Sequence, residues 1–119
     1  MELDVVVRTS GNVTVVDVAG EVDLYTAPRL EEALAKAAGR TPPLIVVNLG
    51  RTTYLDSTAL RVLTAVFKRV RERQGEMAIA EVQPKIAKLF TLTGLDQVLP
   101  LCPTEREALD KVHQPPART

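Results

Sequence analysis

The alternation of short apolar runs with amphipathic segments is the sequence feature that most constrains the fold. The run from Leu44 to Leu49 is rich in β-branched residues and predicts a central strand buried on both faces. Met77 to Val82 and Val98 to Leu101 predict two further strands, the second at an edge of the sheet. Helical periodicity separates these runs, so we expect parallel pairing through right-handed crossovers.

A hairpin precedes this alternating part of the chain. Leu3 to Thr9 and Val13 to Ala19 have the composition of strands, and Gly11-Asn12 between them is a turn signal. The segment Gly20-Glu21-Val22-Asp23 is expected to lead out of the sheet. The sequence therefore predicts an α/β fold, with a mixed, mostly parallel β-sheet that begins with an N-terminal hairpin.

About four helices are expected to pack on this sheet, within a single domain that spans residues 1–113. Residues 114–119 contain two prolines and little to bury, so we expect a disordered tail there. The predicted helices run from Thr26 to Gly39, from Asp56 to about Gln74, from Pro84 to about Thr93, and from Thr104 onward. Their core-facing residues are predicted to be Ala27, Leu30, Leu34, Ala37, Leu60, Leu63, Phe67, Val70, Ile86, Leu89, Phe90, Leu109 and Val112.

Composition and residue types argue against several classes of protein. A net charge of zero and an aromatic content of 3% argue against nucleic-acid binding. No apolar run is long enough to span a membrane, and the acidic start does not resemble a signal peptide, so we expect a cytoplasmic protein. Cys102, the lone cysteine, is interpreted as a small buried hydrophobe. The only histidine, His113, adjoins the tail, so we predict neither catalysis, nor a metal site, nor a cofactor.

The start of the longest predicted helix is where functional chemistry is concentrated. On a helical wheel Ser57 heads a polar stripe that continues through Arg61, while the apolar residues occupy another arc. Asp56 is expected to cap the helix through its carboxylate. A helix N-terminus tolerates an anion well, and a phosphate on Ser57 would carry about −1.5 to −2 charges. Phosphorylation is therefore expected to leave the helix intact and to obstruct a partner that docks there. Thr58 is a rival hydroxyl on the side of the helix.

Four segments follow one another along the chain: Gly20-Glu21-Val22-Asp23, Ile45-Val46-Val47-Asn48-Leu49, Leu55-Asp56-Ser57-Thr58-Ala59-Leu60 and Leu89-Phe90-Thr91-Leu92-Thr93-Gly94-Leu95. In this order they resemble the anti-sigma-factor antagonists of the STAS-domain family, a group of bacterial regulators. The resemblance extends from about Leu3 to Val112. Its most specific part is the pairing of the Gly-Glu-x-Asp element with the later Asp-Ser-Thr element.

The resemblance implies a partner-switching role in transcription. Members of this family bind an anti-sigma factor that is also a serine kinase, and this binding frees the sigma factor. The kinase phosphorylates the serine that matches Ser57, which ends the binding, and a PP2C-type phosphatase restores it. The resemblance places Asp23, Asp56 and Thr58 beside Ser57 in the docking surface. Many relatives have glycine at the position of Ala59, whose methyl group would then hinder close approach of the partner.

Two alternatives remain at this stage. A two-component receiver domain would be phosphorylated on Asp56, but it needs an acidic pair after its first strand to hold Mg²⁺, and that region here is Thr9-Ser10-Gly11-Asn12. The other alternative keeps the fold, because related STAS domains serve as subunits of lipid transport systems or as tails of anion transporters.

Overall fold

The computed structural model describes residues 2–113, in which five strands form one mixed sheet. The strand order is β1-β2-β3-β4-β5; β1 and β2 are antiparallel and the other neighbours are parallel. This confirms the predicted sheet and differs from the 2-1-3-4-5 order of receiver-like folds. The strands are β1 (Leu3–Ser10), β2 (Val13–Val22), β3 (Leu44–Leu55), β4 (Glu76–Ala80) and β5 (Leu101–Cys102).

Four α-helices cover the two faces of the sheet. The helices are α1 (Ala27–Ala38), α2 (Ser57–Glu72), α3 (Pro84–Thr93) and α4 (Glu105–His113), and a 3-10 turn spans Leu95–Gln97. Helices α1, α2 and α3 pack over the main core on one face, while α4 packs over a smaller apolar cluster on the other. Within residues 2–113 no helix combines the length and the apolar character that a membrane span requires. The predicted tail lies outside the described residues.

Most of the predicted core residues are buried. Ten of the thirteen are fully buried, and Phe67, Leu89 and Leu109 are half-buried at the margins. The strands Val13 to Ala19 and Leu44 to Leu49 are buried on both faces, since alternate valines of β2 belong to opposite apolar clusters.

Several strand boundaries differ from the predictions. β4 ends at Ala80, two residues before the predicted Val82, and the largest differences are at the ends of β2 and β3 and at the start of β5. β2 continues through Val22 and β3 through Leu55, and these two residues lie opposite each other in the parallel ladder. The buried hydroxyl of Thr52 donates to the carbonyl of Val18 at 2.7 Å, which satisfies a polar side chain inside the extended pair. β5 begins three residues later than predicted, because the 3-10 turn precedes it and leaves Val98 exposed.

Gly20 lies where β1 and β2 approach too closely for a side chain. Its φ angle is 108°, and a Cβ atom built there would lie 2.2 Å from the main-chain oxygen of Glu2. Gly94 ends α3 with a φ angle of 77°, but a Cβ atom there would meet no atom within 4 Å. A side chain at Gly94 would therefore meet only backbone strain, whereas a side chain at Gly20 would meet backbone strain and steric overlap.

We expect Gly20→Ala to lower the free energy of unfolding by more than about 3 kcal/mol, because the overlap with Glu2 adds to the strain of a positive φ. Gly94→Ala, the control, is expected to cost only about 1–2 kcal/mol from its φ angle. Urea unfolding of both variants measures the difference. Equal losses would show that the close approach at Gly20 relaxes without cost.

Helix α4 is attached to the sheet by a polar network centred on Arg8. The Arg8 guanidinium donates to Asp17 and to both carboxylate oxygens of Glu105, and the Asn48 amide donates to Glu105 at 2.9 Å. The Arg8 guanidinium is the main cause that lowers the pKa of Glu105. This network links the hairpin to the last helix across 97 positions of sequence.

The Glu105 carboxylate is expected to make stability depend on pH. Because its folded-state pKa is lowered, its contribution is present above the usual value of 4.5 and is lost as the pH falls through the folded-state value. Since Arg8 is partly exposed, we expect Glu105→Gln to cost only about 1 kcal/mol or less at neutral pH. Urea midpoints of the variant and the wild type should converge in acid. A constant difference at all pH values would contradict this, and Glu107→Gln controls for the charge change in the same helix.

Candidate functional site

The site lies where β2 and β3 end side by side. Val22 is opposite Leu55 in the parallel ladder, and the Asp56 N–H donates to the Val22 carbonyl at 3.2 Å. Asp23 and Asp56 directly follow these two strand ends. The hairpin and the central strand are thus neighbours in the sheet, and Asp23 and Asp56 follow adjacent strand ends.

The N-terminus of α2 presents Ser57 to solvent. Asp56 is the N-cap, and its Oδ1 accepts a hydrogen bond from the Ala59 N–H at 3.1 Å, as the sequence predicts. Ser57 is the first helical residue and is exposed, and its hydroxyl makes no hydrogen bond to another residue among 2–113. Thr58 is half-buried. Of the two neighbouring hydroxyl residues, Ser57 is therefore the more accessible.

The exposed stripe of α2 follows the predicted wheel. Arg61 and Lys68 are exposed along the face that Ser57 heads, and Arg71 pairs with Glu76 at 2.9 Å. Thr64 is half-buried and bonds the carbonyl one turn earlier. Arg61 forms no ion pair within residues 2–113 and lies one turn after Ser57, at the distance along the helix where side chains of residues i and i+4 meet.

Ala59 corrects one expectation about this surface. Its side chain is fully buried in the main core. The methyl group therefore packs inward beneath α2 and does not protrude toward a partner. Its presence in place of glycine adds core contact and helix propensity without changing the exposed surface.

Asp23 organises the turn between β2 and α1 and is nearly buried. Its Oδ1 accepts hydrogen bonds from the N–H groups of Tyr25 and Thr26, both at 2.9 Å, and the Thr26 hydroxyl lies 3.1 Å away. The Thr26 N–H is the main cause that lowers the pKa of Asp23. Thr26 is the N-cap of α1 as predicted, but its hydroxyl donates to Glu21 instead of capping the helix.

Three apolar or aromatic side chains near the site were not singled out from the sequence. Leu24 and Tyr25 follow Asp23 and are 64% and 86% exposed, and Tyr54, two residues before Asp56, is 48% exposed. We call Leu24, Tyr25 and Tyr54 the apolar patch. The chain has only two tyrosines, and both flank the site while the phenylalanines point inward. That scarcity was the available signal, because exposed aromatic residues are typical of binding surfaces.

The profile of the STAS domain matches residues 4–108, which include every residue of the site. The chain belongs to the STAS-domain family. An anti-sigma-B factor antagonist of Listeria monocytogenes is 36% identical to this STAS domain over 90 residues, covering 76% of this chain and 79% of that protein. The anti-sigma-B factor antagonist of Bacillus subtilis is 33% identical over 99 residues, covering 83% and 90%. An anti-sigma factor antagonist from Mycobacterium paratuberculosis has a crystal structure that superimposes with a TM-score of 0.87 at 32% identity, covering 95% of this chain and 96% of that one.

Cys102 lies away from the site of this STAS domain. It is half-buried in β5 against the smaller apolar cluster, and burial raises the pKa of its thiol. A raised pKa disfavours the thiolate that reactive cysteines require. This agrees with the interpretation of Cys102 as a small packing residue.

Proposed function

We propose that this STAS domain is an anti-sigma-factor antagonist controlled by phosphorylation of Ser57. The unphosphorylated form binds an anti-sigma factor with serine kinase activity and frees the sigma factor. Phosphorylation of Ser57 by that kinase ends the binding, and a PP2C-type phosphatase reverses it. The observation that carries the proposal is the exposed Ser57 hydroxyl at the capped N-terminus of α2, in a chain similar to anti-sigma-B factor antagonists.

The local geometry explains how a phosphate would change binding without unfolding the domain. Asp56 accepts a hydrogen bond from the Ala59 N–H and fixes the start of α2. The first N–H groups of a helix have no acceptor within it, so they favour an anion on Ser57. The positive end of the helix dipole and the Arg61 guanidinium add favourable charge. A dianion is therefore accommodated by the free protein, while a partner whose surface closely fits the small hydroxyl meets added bulk and charge.

The apolar patch supplies the binding energy in this proposal. Tyr25 is the most exposed of the large hydrophobic residues, and it adjoins the turn that Asp23 holds rigid. Rigid aromatic side chains are frequent hot spots in protein interfaces. The role of Asp23 is accordingly to position the patch, and that of Asp56 to orient Ser57.

Binding of the purified domain to the anti-sigma factor encoded in the same genome is the measurement that tests this proposal. Isothermal titration calorimetry without nucleotide is expected to show a complex, and adding the domain to an anti-sigma–sigma complex is expected to release the sigma factor. With Mg-ATP, the complex should dissociate as Ser57 is modified. Absence of any complex, or a complex that ATP leaves unchanged, would overturn the proposal.

We expect Tyr25→Ala to weaken binding of the anti-sigma factor about thirtyfold, as truncation of an aromatic hot spot costs about 2 kcal/mol. Its thermal stability should be almost unchanged, because the ring is 86% exposed. Leu92→Ala, which truncates an exposed residue of α3, is the control and should bind normally. Normal binding by Tyr25→Ala would exclude the apolar patch from the interface.

A further inference from the structure

The outer edge of β1 is a free strand edge that the proposed function does not use. The Glu21 N–H donates to the Glu2 carbonyl at 3.0 Å, so Glu2 and every second residue after it direct their main-chain groups toward β2. The N–H and C=O groups of Val5, Val7 and Thr9 therefore point away from β2. Among residues 2–113, β1 has no strand on this side. Such an edge is a template for pairing with another extended chain.

A basic groove lies beside this edge, between β1 and α1. Its volume is about 580 Å³, and its floor includes Val7, which is 52% exposed although it faces the helical layer. Arg29, Lys36 and Arg40 of α1 and the following turn line it, against a single carboxylate, Glu32. None of the three cations forms an ion pair within residues 2–113, but the Arg29 guanidinium donates to the outward carbonyl of Leu3 at 2.5 Å. The groove thus carries uncompensated positive charge next to the unpaired main-chain groups of Val5, Val7 and Thr9.

A buried hydroxyl on the groove floor has no hydrogen-bond partner. Thr14 lines the groove opposite Thr9 and is only 3% exposed, and its Oγ1 is unpaired among the described residues. A buried polar group without a partner costs about 1–3 kcal/mol. The Thr14 hydroxyl is therefore an energetic cost in the groove floor that no other residue among 2–113 offsets.

We propose that the β1 edge binds an extended acidic segment of a partner protein as an added strand. Main-chain pairing would use the outward groups of Val5, Val7 and Thr9, and alternate side chains of the segment would enter the groove. Carboxylates in that row would meet Arg29, Lys36 and Arg40. The row of cations from Arg29 to Arg40, along α1 and the turn after it, is roughly 16 Å long, which matches about five residues of extended chain.

A blocked hexapeptide of alternating glutamate and valine is the probe for this site, and a lysine–valine hexapeptide is its control. In ¹⁵N-labelled domain, the acidic peptide is expected to shift the amide signals of Val5, Val7 and Thr9 and to slow their hydrogen exchange. Its affinity should fall as salt is added, since exposed charges are screened. The Ser57→Asp variant should bind it equally well, because no residue of α2 lines the groove.

Two variants distinguish the contribution of the basic side chains to peptide binding from that of main-chain pairing. Lys36→Glu/Arg40→Glu alters exposed residues only and is expected to weaken peptide binding at least about tenfold. Val7→Pro removes an outward N–H while leaving the β2 ladder intact, so it should abolish binding in a folded domain, as checked by circular dichroism. Equal binding of both peptides, unchanged β1 amides, or a peptide-free homodimer that protects the same amides would overturn the proposal.

Discussion

Ser57→Asp is expected to weaken binding of the anti-sigma kinase at least about thirtyfold. The substituted carboxylate adds a charge and bulk where the partner is proposed to fit a hydroxyl, and an unpaired charge in an interface costs about 2 kcal/mol or more. Ser57→Ala is expected to stay bound, because it adds neither. Calorimetric titration of the three proteins with the same partner preparation gives the comparison.

Ser57→Asn separates charge from size in this experiment. Asparagine has nearly the shape of aspartate but no charge, so it should lose clearly less affinity than Ser57→Asp. Both residues are good at helix starts, and both variants should keep the wild-type midpoint of thermal unfolding within a few degrees. Equal affinity of Ser57→Ala and Ser57→Asp would contradict a charge-controlled switch.

Phe90→Ala is expected to have the largest effect on stability. Phe90 is completely buried in the main core, where α3 packs on the sheet. Truncation of a buried phenylalanine costs about 3–5 kcal/mol in lost transfer energy and cavity formation. Because domains of this size have total stabilities of about 5–15 kcal/mol, this loss is a large fraction of the free energy of unfolding and should clearly lower the denaturation midpoint.

The control for Phe90→Ala lies two residues away in the same helix. Leu92 is 72% exposed, so Leu92→Ala is expected to change the free energy of unfolding by about 0.5 kcal/mol or less. Chemical denaturation of both variants, followed by far-ultraviolet circular dichroism, measures the two values. Similar losses would mean that α3 is not anchored by its buried aromatic residue.

Local signals allowed the helices and the environment of Ser57 to be predicted. The cap at Asp56 and the exposure of Ser57 depend on residues within one or two turns of each other, so a helical wheel suffices to infer them. The hairpin could be predicted in the same way, because a two-residue turn signal separates two runs with the composition of β-strands. Where the interacting groups are close in sequence, pattern and structure agree.

Features that depend on distant parts of the chain could not be inferred from the sequence. The ends of β2 and β3 were missed because their polar residues are satisfied by cross-strand bonds, such as that from Thr52 to Val18. The attachment of α4 joins Arg8 to Glu105 across nearly the whole sequence. The exposure of Leu24 and Tyr25 was missed because apolar character alone predicts burial, and only the fold shows that nothing covers them.

Site mapping after incubation with the kinase identifies the residue whose phosphorylation ends the binding. The purified domain, its anti-sigma kinase and Mg-ATP are incubated, and the product is digested and analysed by tandem mass spectrometry. We predict one added phosphate, located on Ser57, together with loss of the complex, and no phosphate on Ser57→Ala. Phosphate on Thr58 or on Asp56 with Ser57 unmodified, or a complex that survives full modification of Ser57, would contradict this prediction.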